Sequence, residues 1–462
     1  MQKYLKIFLS ILIAAIILTL LLPYAMGIAT QIKFSRVLNE ISAFSDLDIQ
    51  VTSYHRHWFD SDATLTVDLN PQSTVPLEAA QLQKFLEKSQ LQKVNLSAHI
   101  LHGPVIFTNN KIKIAQAIIQ ASVLLNDEQN KLLQRALSAP PIITMNMNIK
   151  VNGRSAIDID IPSFYYKNHD RNIKWQDMHL GLELSSSLHK ISRVIDIPEM
   201  LLEAPNFNLY INSLHTSYKG KKETDNLWIG DNSFSLKSFK FSVASIISAS
   251  MDNCETQSSF REQKGLISGD TTMSIDNFVI NENKFTQSKL DWNINNFNML
   301  ILSKLKQEIS NLDPAQIANQ PIKQASHFLS LIQQLLSNNA SIEVSKFEIN
   351  TPWGEANAHG KITFPPILVK TESELDFVKN MEEELDLKLD KKLALNLVQN
   401  FLEYFSPARK KINYHDQAIV LLNNLKNAKT IIPDNNSYKL HLIYKDKKLM
   451  LNGIPFSLSS KT

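Results

Sequence analysis

Ile143-Thr144-Met145-Asn146-Met147-Asn148-Ile149-Lys150-Val151-Asn152-Gly153-Arg154-Ser155-Ala156-Ile157-Asp158-Ile159-Asp160-Ile161 is the stretch that decides the fold class. Apolar residues take every second position from Ile143 to Val151, and again from Ile157 to Ile161. A period of two puts them on one face of a strand, with Asn, Lys and Asp on the other. Asn152-Gly153 is the preferred pair of a two-residue type I′ turn, whose central residues both need φ > 0. The stretch predicts an antiparallel hairpin with one buried face and one wetted face.

Working outward, the same period recurs. Leu47, Ile49 and Val51, then Ala63, Leu65, Val67 and Leu69, form two strands around Tyr54–Ser61. Val94, Leu96, Ala98 and Ile100 alternate up to His102-Gly103-Pro104. Downstream, Met178–Leu184, Phe207–Ile211, Leu227/Ile229, Leu236–Phe241 and Met273/Ile275 read as strands. Helical spacing or composition marks Phe34, Val37, Leu38, Ile41 and Phe44, then Leu77–Leu91, and Ile112–Leu137 with its Ala, Gln and Leu. In the last third, Leu290–Asn296 runs into a helix ending near Leu312. A second helix, Ile322–Leu336, and the hairpin Ile342–Ile349/Ala356–Phe364 follow. Leu385–Lys391 opens the same order again: helix to Phe405, helix His415–Leu425, hairpin Tyr438–Tyr444/Leu449–Asn452. Two copies suggest a duplicated unit without establishing one.

The chain begins with Ile7–Ala29, twenty-three residues without a charge, between Lys3/Lys6 and Lys33/Arg36. At ~1.5 Å rise per residue, a helix of that length covers the ~30 Å hydrocarbon core of a bilayer. A cleaved signal peptide is the competing reading, with Ala25-Met26-Gly27 as its small-x-small site. The apolar run is long for a signal, which favours an uncleaved anchor. A short N-terminal tail makes the cytoplasmic N-terminus the simpler topology. The expected fold is α+β and strand-dominated. An N-terminal transmembrane helix precedes an elongated, curved, mostly antiparallel sheet with helices packed on one side. Its parts are an anchor over 1–30, a sheet-rich region over 31–285 and a strand–helix–hairpin region over 286–462.

A net charge of +3 spread along 462 residues lacks the clustered basic face that nucleic-acid binding needs. Cys254 is the single cysteine, so no intramolecular disulfide forms, and its acidic neighbours disfavour a thiolate. With 11 glycines there is little room for phosphate-cradling loops. No G-x-S-x-G, P-loop or H-E-x-x-H motif occurs. His55 and His57 fall on one strand face and invite a metal, with His99 and His102 as further ligands. Solvent-facing histidines beside a turn are the plainer reading, so no metal and no cofactor is expected. Glu382-Glu383-Glu384 with Asp386 reads as the charged approach to a solvated strand. The candidate ligand- or partner-binding set is Tyr54, Arg56, Trp58, Phe59, Ser61 and His102, since Arg and aromatics dominate binding hot spots. In the competing reading Trp58 and Phe59 plug the first hairpin onto the core.

Leu22-Pro23-Tyr24 with Gly27, then Tyr54-x-Arg56-x-Trp58-Phe59-x-Ser61-x-Ala63, resembles the start of the YdgA-like family. His102-Gly103-Pro104, Trp175, Gly360 before Ile362-Thr363-Phe364-Pro365, and Asn452-Gly453 resemble its later landmarks. His57 stands where that family usually has Gly, which puts the local turn geometry in question. The resemblance implies an inner-membrane anchor and a periplasmic body in a Gram-negative bacterium, and it implies no reaction. The functional expectation is a non-enzymatic envelope protein that binds an apolar ligand such as lipid or docks an envelope partner. An assembly role as a homo-oligomer and an envelope hydrolase built on His55, His57 and His102 are the alternatives.

Overall fold

The computed structural model describes residues 2–45, 48–68, 93–108, 111–124, 143–168, 171–224, 227–244, 246–310, 321–366, 380–405 and 413–456. The first element, α1, is one helix over Gln2–Ser45 with Pro23 inside it, and its side chains are described from Leu21 to Ser42. Among the described side chains no helix is long and apolar enough to cross a membrane. The expected span 7–29 falls mostly on residues 7–20, whose side chains lie outside that description. The expected helix Leu77–Leu91 lies outside the described residues altogether.

The chain forms two compact units, residues 1–205 with 211–222, and residues 206–210 with 223–462. In the first unit β1 (Asp48–Arg56), β2 (Asp60–Asp68), β3 (Lys93–His102), β6 (Ala117–Leu124), β7 (Thr144–Ile149), β8 (Ser155–Ile161), β11 (Met178–Leu184) and β12 (Lys190–Ala204) pair antiparallel in that order. The far half of β12 pairs β10 (Arg171–Trp175), which pairs β9 (Phe164–Asn168). A separate two-stranded ladder, β4 (Val105–Thr108) with β5 (Lys111–Ile114), stands between β3 and β6 in sequence.

Two sequence expectations fail here for physical reasons. Residues 112–124, read as helix, fall in β5, β6 and the short link between them; the remainder of Ile112–Leu137 lies outside the described residues. Ala117, Ile118 and Ile119 are all buried, so the alternation that marks a strand is erased by burial on both faces. Ala121, one of the alanines that suggested helix, has a packing role. Ala63, Ala98 and Ala121 lie in register across β2, β3 and β6, giving a low row over which α1 can approach.

The Asn152-Gly153 hairpin exists, but its loop has three residues. Gly153 N–H donates to Lys150 O at 2.8 Å, Lys150 N–H donates to Arg154 O, and only Gly153 has positive φ (79°). This is a type I turn closed by a glycine bulge. The strain a side chain would meet therefore falls on Gly153, not on Asn152. The turn type expected there occurs elsewhere, in the second unit. Lys264-Gly265, Asn281-Glu282, Asp446-Lys447 and Asn452-Gly453 each link paired strands with positive φ at both residues.

The second unit is an antiparallel meander. β14 (Leu227–Val243), β15 (Ile247–Gln263), β16 (Leu266–Ile280), β17 (Asn283–Asn298), β18 (Ala340–Thr351), β19 (Gly354–Phe364), β20 (Glu382–Asp390), β22 (Ser437–Lys445), β23 (Lys448–Leu451) and β24 (Ile454–Phe456) pair in that order. The short β21 (Ile432–Asp434) lies on β22. β13 (Phe207–Thr224) contributes residues to both units. Helices α2 (Met299–Ser310) and α3 (Pro321–Leu336) join β17 to β18, and α4 (Lys391–Phe405) and α5 (Tyr414–Asn427) follow β20. Ile229, Ile267, Phe297, Leu335, Leu336 and Phe364 form the core between sheet and helices. The strands of 15–17 residues here outrun their sequence signal, because Ser, Thr, Asn and Asp fill so many of their positions. Cys254 is buried in β15 between Leu236 and Ile275, and burial pushes its thiol pKa up, so the thiolate is disfavoured.

Candidate functional site

From Pro23 onward α1 buries one stripe: Pro23, Gly27, Thr30, Phe34, Val37 and Leu38, at steps of three and four. The stripe rests on β1, β3 and β6. Among the described side chains of α1 this buried stripe starts at Pro23, within the expected span 7–29. On the opposite face Leu21, Tyr24, Ile28 and Ile32 are exposed.

Tyr54, Arg56, Ser61 and His102 all belong to the sheet face under this helix. Ser61 and His102 are buried, and Ser61 Oγ lies 2.7 Å from His102 Nε2. Gly27 makes room for the ring, since a Cβ there would stand 2.7 Å from His102 Cε1 and Nδ1. His102 Nδ1 is buried without a hydrogen-bond partner. The Nε2–H tautomer, donating to Ser61 Oγ, leaves only an unpaired acceptor there and is the less costly form. Arg56 Nη1 donates to Gln31 Oε1 at 3.2 Å, Nη2 reaches Tyr24 OH at 3.4 Å, and the guanidinium lies over the Tyr24 ring. The Tyr54 hydroxyl is buried with no hydrogen bond of good geometry; burial raises its pKa against smaller opposing effects of Ser61 and Arg56. These four residues therefore form the seat of α1.

Trp58 and Phe59 do something else. They lie in the β1–β2 turn, where His57 N–H donates to Asp60 O at 2.9 Å, and are 45% and 54% exposed. The plug expected of them is absent: a turn that ends the sheet carries their side chains past the core, and Trp58 stacks at a tilt on Tyr24, ring centroids 5.2 Å apart. Trp58→Ala should accordingly cost about 1 kcal/mol or less, the scale of an exposed aromatic pair. A loss of ~3–5 kcal/mol in denaturant unfolding, the scale for a buried aromatic, would contradict this placement. His57 does not take positive φ, so this turn does not require a glycine at position 57.

The proposed histidine cluster does not assemble. His102 is sealed beneath α1, while His57 and His99 lie on the exposed surface around Asp62, at 3.6 and 3.0 Å from its oxygens. His55 is exposed and sits opposite Asp62 in register. The arrangement His–Asp–His is one of several that sequence reading missed, because the partners lie on different strands. Asp160, His179, Asp196 and His215 alternate across β8, β11, β12 and β13, with His179 and His215 each bonded to an aspartate. His359, Asp386 and His441 do the same across β19, β20 and β22, at 3.1 and 2.8 Å. Among the described residues Glu384, Asp386 and His441 bring ligand atoms within 4.8 Å of one another. Asp386 is already paired with His441 and His359, and each ladder sets histidine beside aspartate along a wetted sheet face.

Burial lowers the His102 pKa, with Asp60 opposing and Arg56 and His99 adding to the fall. The unfolded chain then takes up a proton first, near pH ~6.5. The stability contributed by neutral His102 is complete above that value and is lost as the pH falls through the lowered folded value. His179 works the other way, since Asp160 raises its pKa. Comparison with His102→Gln isolates the first effect: acidification from about pH 7.5 to about pH 5.5 should lower the unfolding midpoint of the parent more than that of the variant. Equal shifts would mean that His102 is not the group responsible.

One family model, described as bacterial protein of unknown function (DUF945), matches residues 1–459. The chain belongs to the DUF945 family. No curated protein and no solved structure matches it. Membership fixes the bacterial origin and the extent of the common sequence. The YdgA-like name and the envelope address that the sequence resemblance brought with it are not part of that match. In this DUF945 chain the match covers both units and α1, so the seat of the helix lies within the family sequence.

Proposed function

We propose that this DUF945 protein is anchored in the inner membrane of a Gram-negative bacterium by the start of α1. Its body would lie in the periplasm and work by binding an apolar ligand such as lipid, or an envelope partner, and not by catalysis. The observation that carries the reading is the seat of α1. A single helix runs from the charge-free segment into the stripe Pro23–Leu38, so apolar segment and body are joined without a linker. Tyr4–Leu22 extends about 28 Å as a helix, close to the bilayer core, with Lys6 able to snorkel. Catalysis by the histidines would require His55, His57 and His102 to converge with a carboxylate, and the sealed position of His102 speaks against it. Apolar binding is supported by α4, which turns Leu397, Phe401, Tyr404 and Phe405 to solvent on one face.

The test is fractionation of cells making the full chain fused after Thr462 to a phosphatase reporter. The protein is expected to stay in the membrane pellet through an alkaline carbonate wash, with the phosphatase active. Release by carbonate, or an inactive reporter, would overturn the anchored periplasmic topology. Mass spectrometry of lipid co-purifying with the protein then separates a lipid ligand from a protein partner.

A further inference from the structure

The hairpin β4–β5 is amphipathic with its apolar side outward. Val105 pairs with Ile114 and Phe107 with Ile112, so all four share one face, and they are 49%, 76%, 74% and 66% exposed. On the other face Ile106 is buried on Ala115 and Ile118, and Lys111 and Lys113 stand beside it. A two-stranded ladder four residues long gains little from its own pairing and needs a surface to cover such a face.

Topology says where that face lies. β3 and β6 close at His102↔Ala117, beside Gly27, and the hairpin leaves the sheet from that end. Its base is held by Gly103 N–H to Gln116 O and Ala115 N–H to Pro104 O, and a Cβ on Gly103 would stand 3.9 Å from Pro23. Pro23 is the first buried residue among the described side chains of α1 and lies within the charge-free sequence Ile7–Ala29. The Trp58-Phe59 turn closes at Arg56↔Ser61 at the same end, and so does the β7–β8 loop with exposed Val151. Exposed apolar side chains therefore gather at the end of the sheet where the described buried stripe of α1 begins.

We propose that the outward face of β4–β5, with Trp58 and Phe59, is a second membrane contact that enters the headgroup and upper acyl region of the bilayer holding α1. The inference rests on the anchored reading above. Lipid is favoured over a protein because the hairpin leaves the sheet beside Pro23, which lies within the charge-free sequence Ile7–Ala29. Lys111 and Lys113 supply cations for lipid phosphate at the same hairpin. Aromatic residues at the exit of a membrane helix also suit the interface.

The test uses the full chain with Cys254→Ser, reconstituted in vesicles of phosphatidylethanolamine and phosphatidylglycerol. One variant carries an environment-sensitive fluorophore at Phe107→Cys, and a control carries it at Lys93→Cys, at the opposite end of β3. The probe at 107 is expected to shift to the blue and to lose most of its fluorescence to a quencher placed high on the lipid chain. The probe at 93 should stay water-like and unquenched. A water-like probe at 107, or a blue shift without lipid quenching, which would indicate a second copy of the protein as occupant, overturns the proposal. Carbonate release of the protein from the same vesicles would instead show that the anchor itself had failed.

Discussion

Phe34→Ala is expected to lower the unfolding free energy of the first unit by about 3–5 kcal/mol, the range for deleting a large buried aromatic. Phe34 is fully buried in the α1 stripe with Val37 and Leu38. The cavity would open between α1 and the sheet, where helix backbone and a row of alanines have little side chain with which to refill it. Ile32→Ala is the internal control. It sits two residues away on the exposed face and should change stability by no more than about 0.5 kcal/mol. Denaturant unfolding and limited proteolysis within residues 23–45 report both variants. Comparable losses in the two would mean that α1 is not seated by the face described.

Gly27→Val should overpack the site where α1 crosses His102, at a cost of about 1–3 kcal/mol or more. The first carbon added already meets the imidazole at 2.7 Å, and that ring is held by Ser61 on its other side. The effect should depend on the ring. In a His102→Ala background, Gly27→Ala should cost clearly less than in the parent, giving a coupling of about 0.5–3 kcal/mol in a double-mutant cycle. An additive cycle would show that the clash is relieved by a shift of the helix.

The sequence by itself determined the strands with a clean period of two, among them β1, β2, β3, β7 and β8, because one wetted face leaves the alternation intact. Because helical spacing is a local signal, it also determined that the described helices exist, with approximate bounds: those following Leu290–Asn296 and Leu385–Lys391, Ile322–Leu336, His415–Leu425, and Phe34–Phe44 within α1. The order strand, helix, helix, hairpin in the last third was legible for the same reason. What only the tertiary structure decided are features set by neighbours distant in sequence. β6 looked helical because α1 and the β4–β5 hairpin bury both of its faces. The Asn152-Gly153 loop has three residues because pairing of Lys150 with Arg154 sets its length, which the dipeptide alone does not. Arg56 and Trp58 both touch Tyr24 but differ in burial: Arg56 also bonds Gln31 of α1, while Trp58 is carried by the turn to an exposed position. The space for the His102 ring is left by a glycine seventy-five positions earlier, and a glycine announces nothing in sequence about the ring that will rest against it. The His–Asp ladders were hidden likewise, because strand register, set by the apolar face, brings each histidine beside its aspartate on the other.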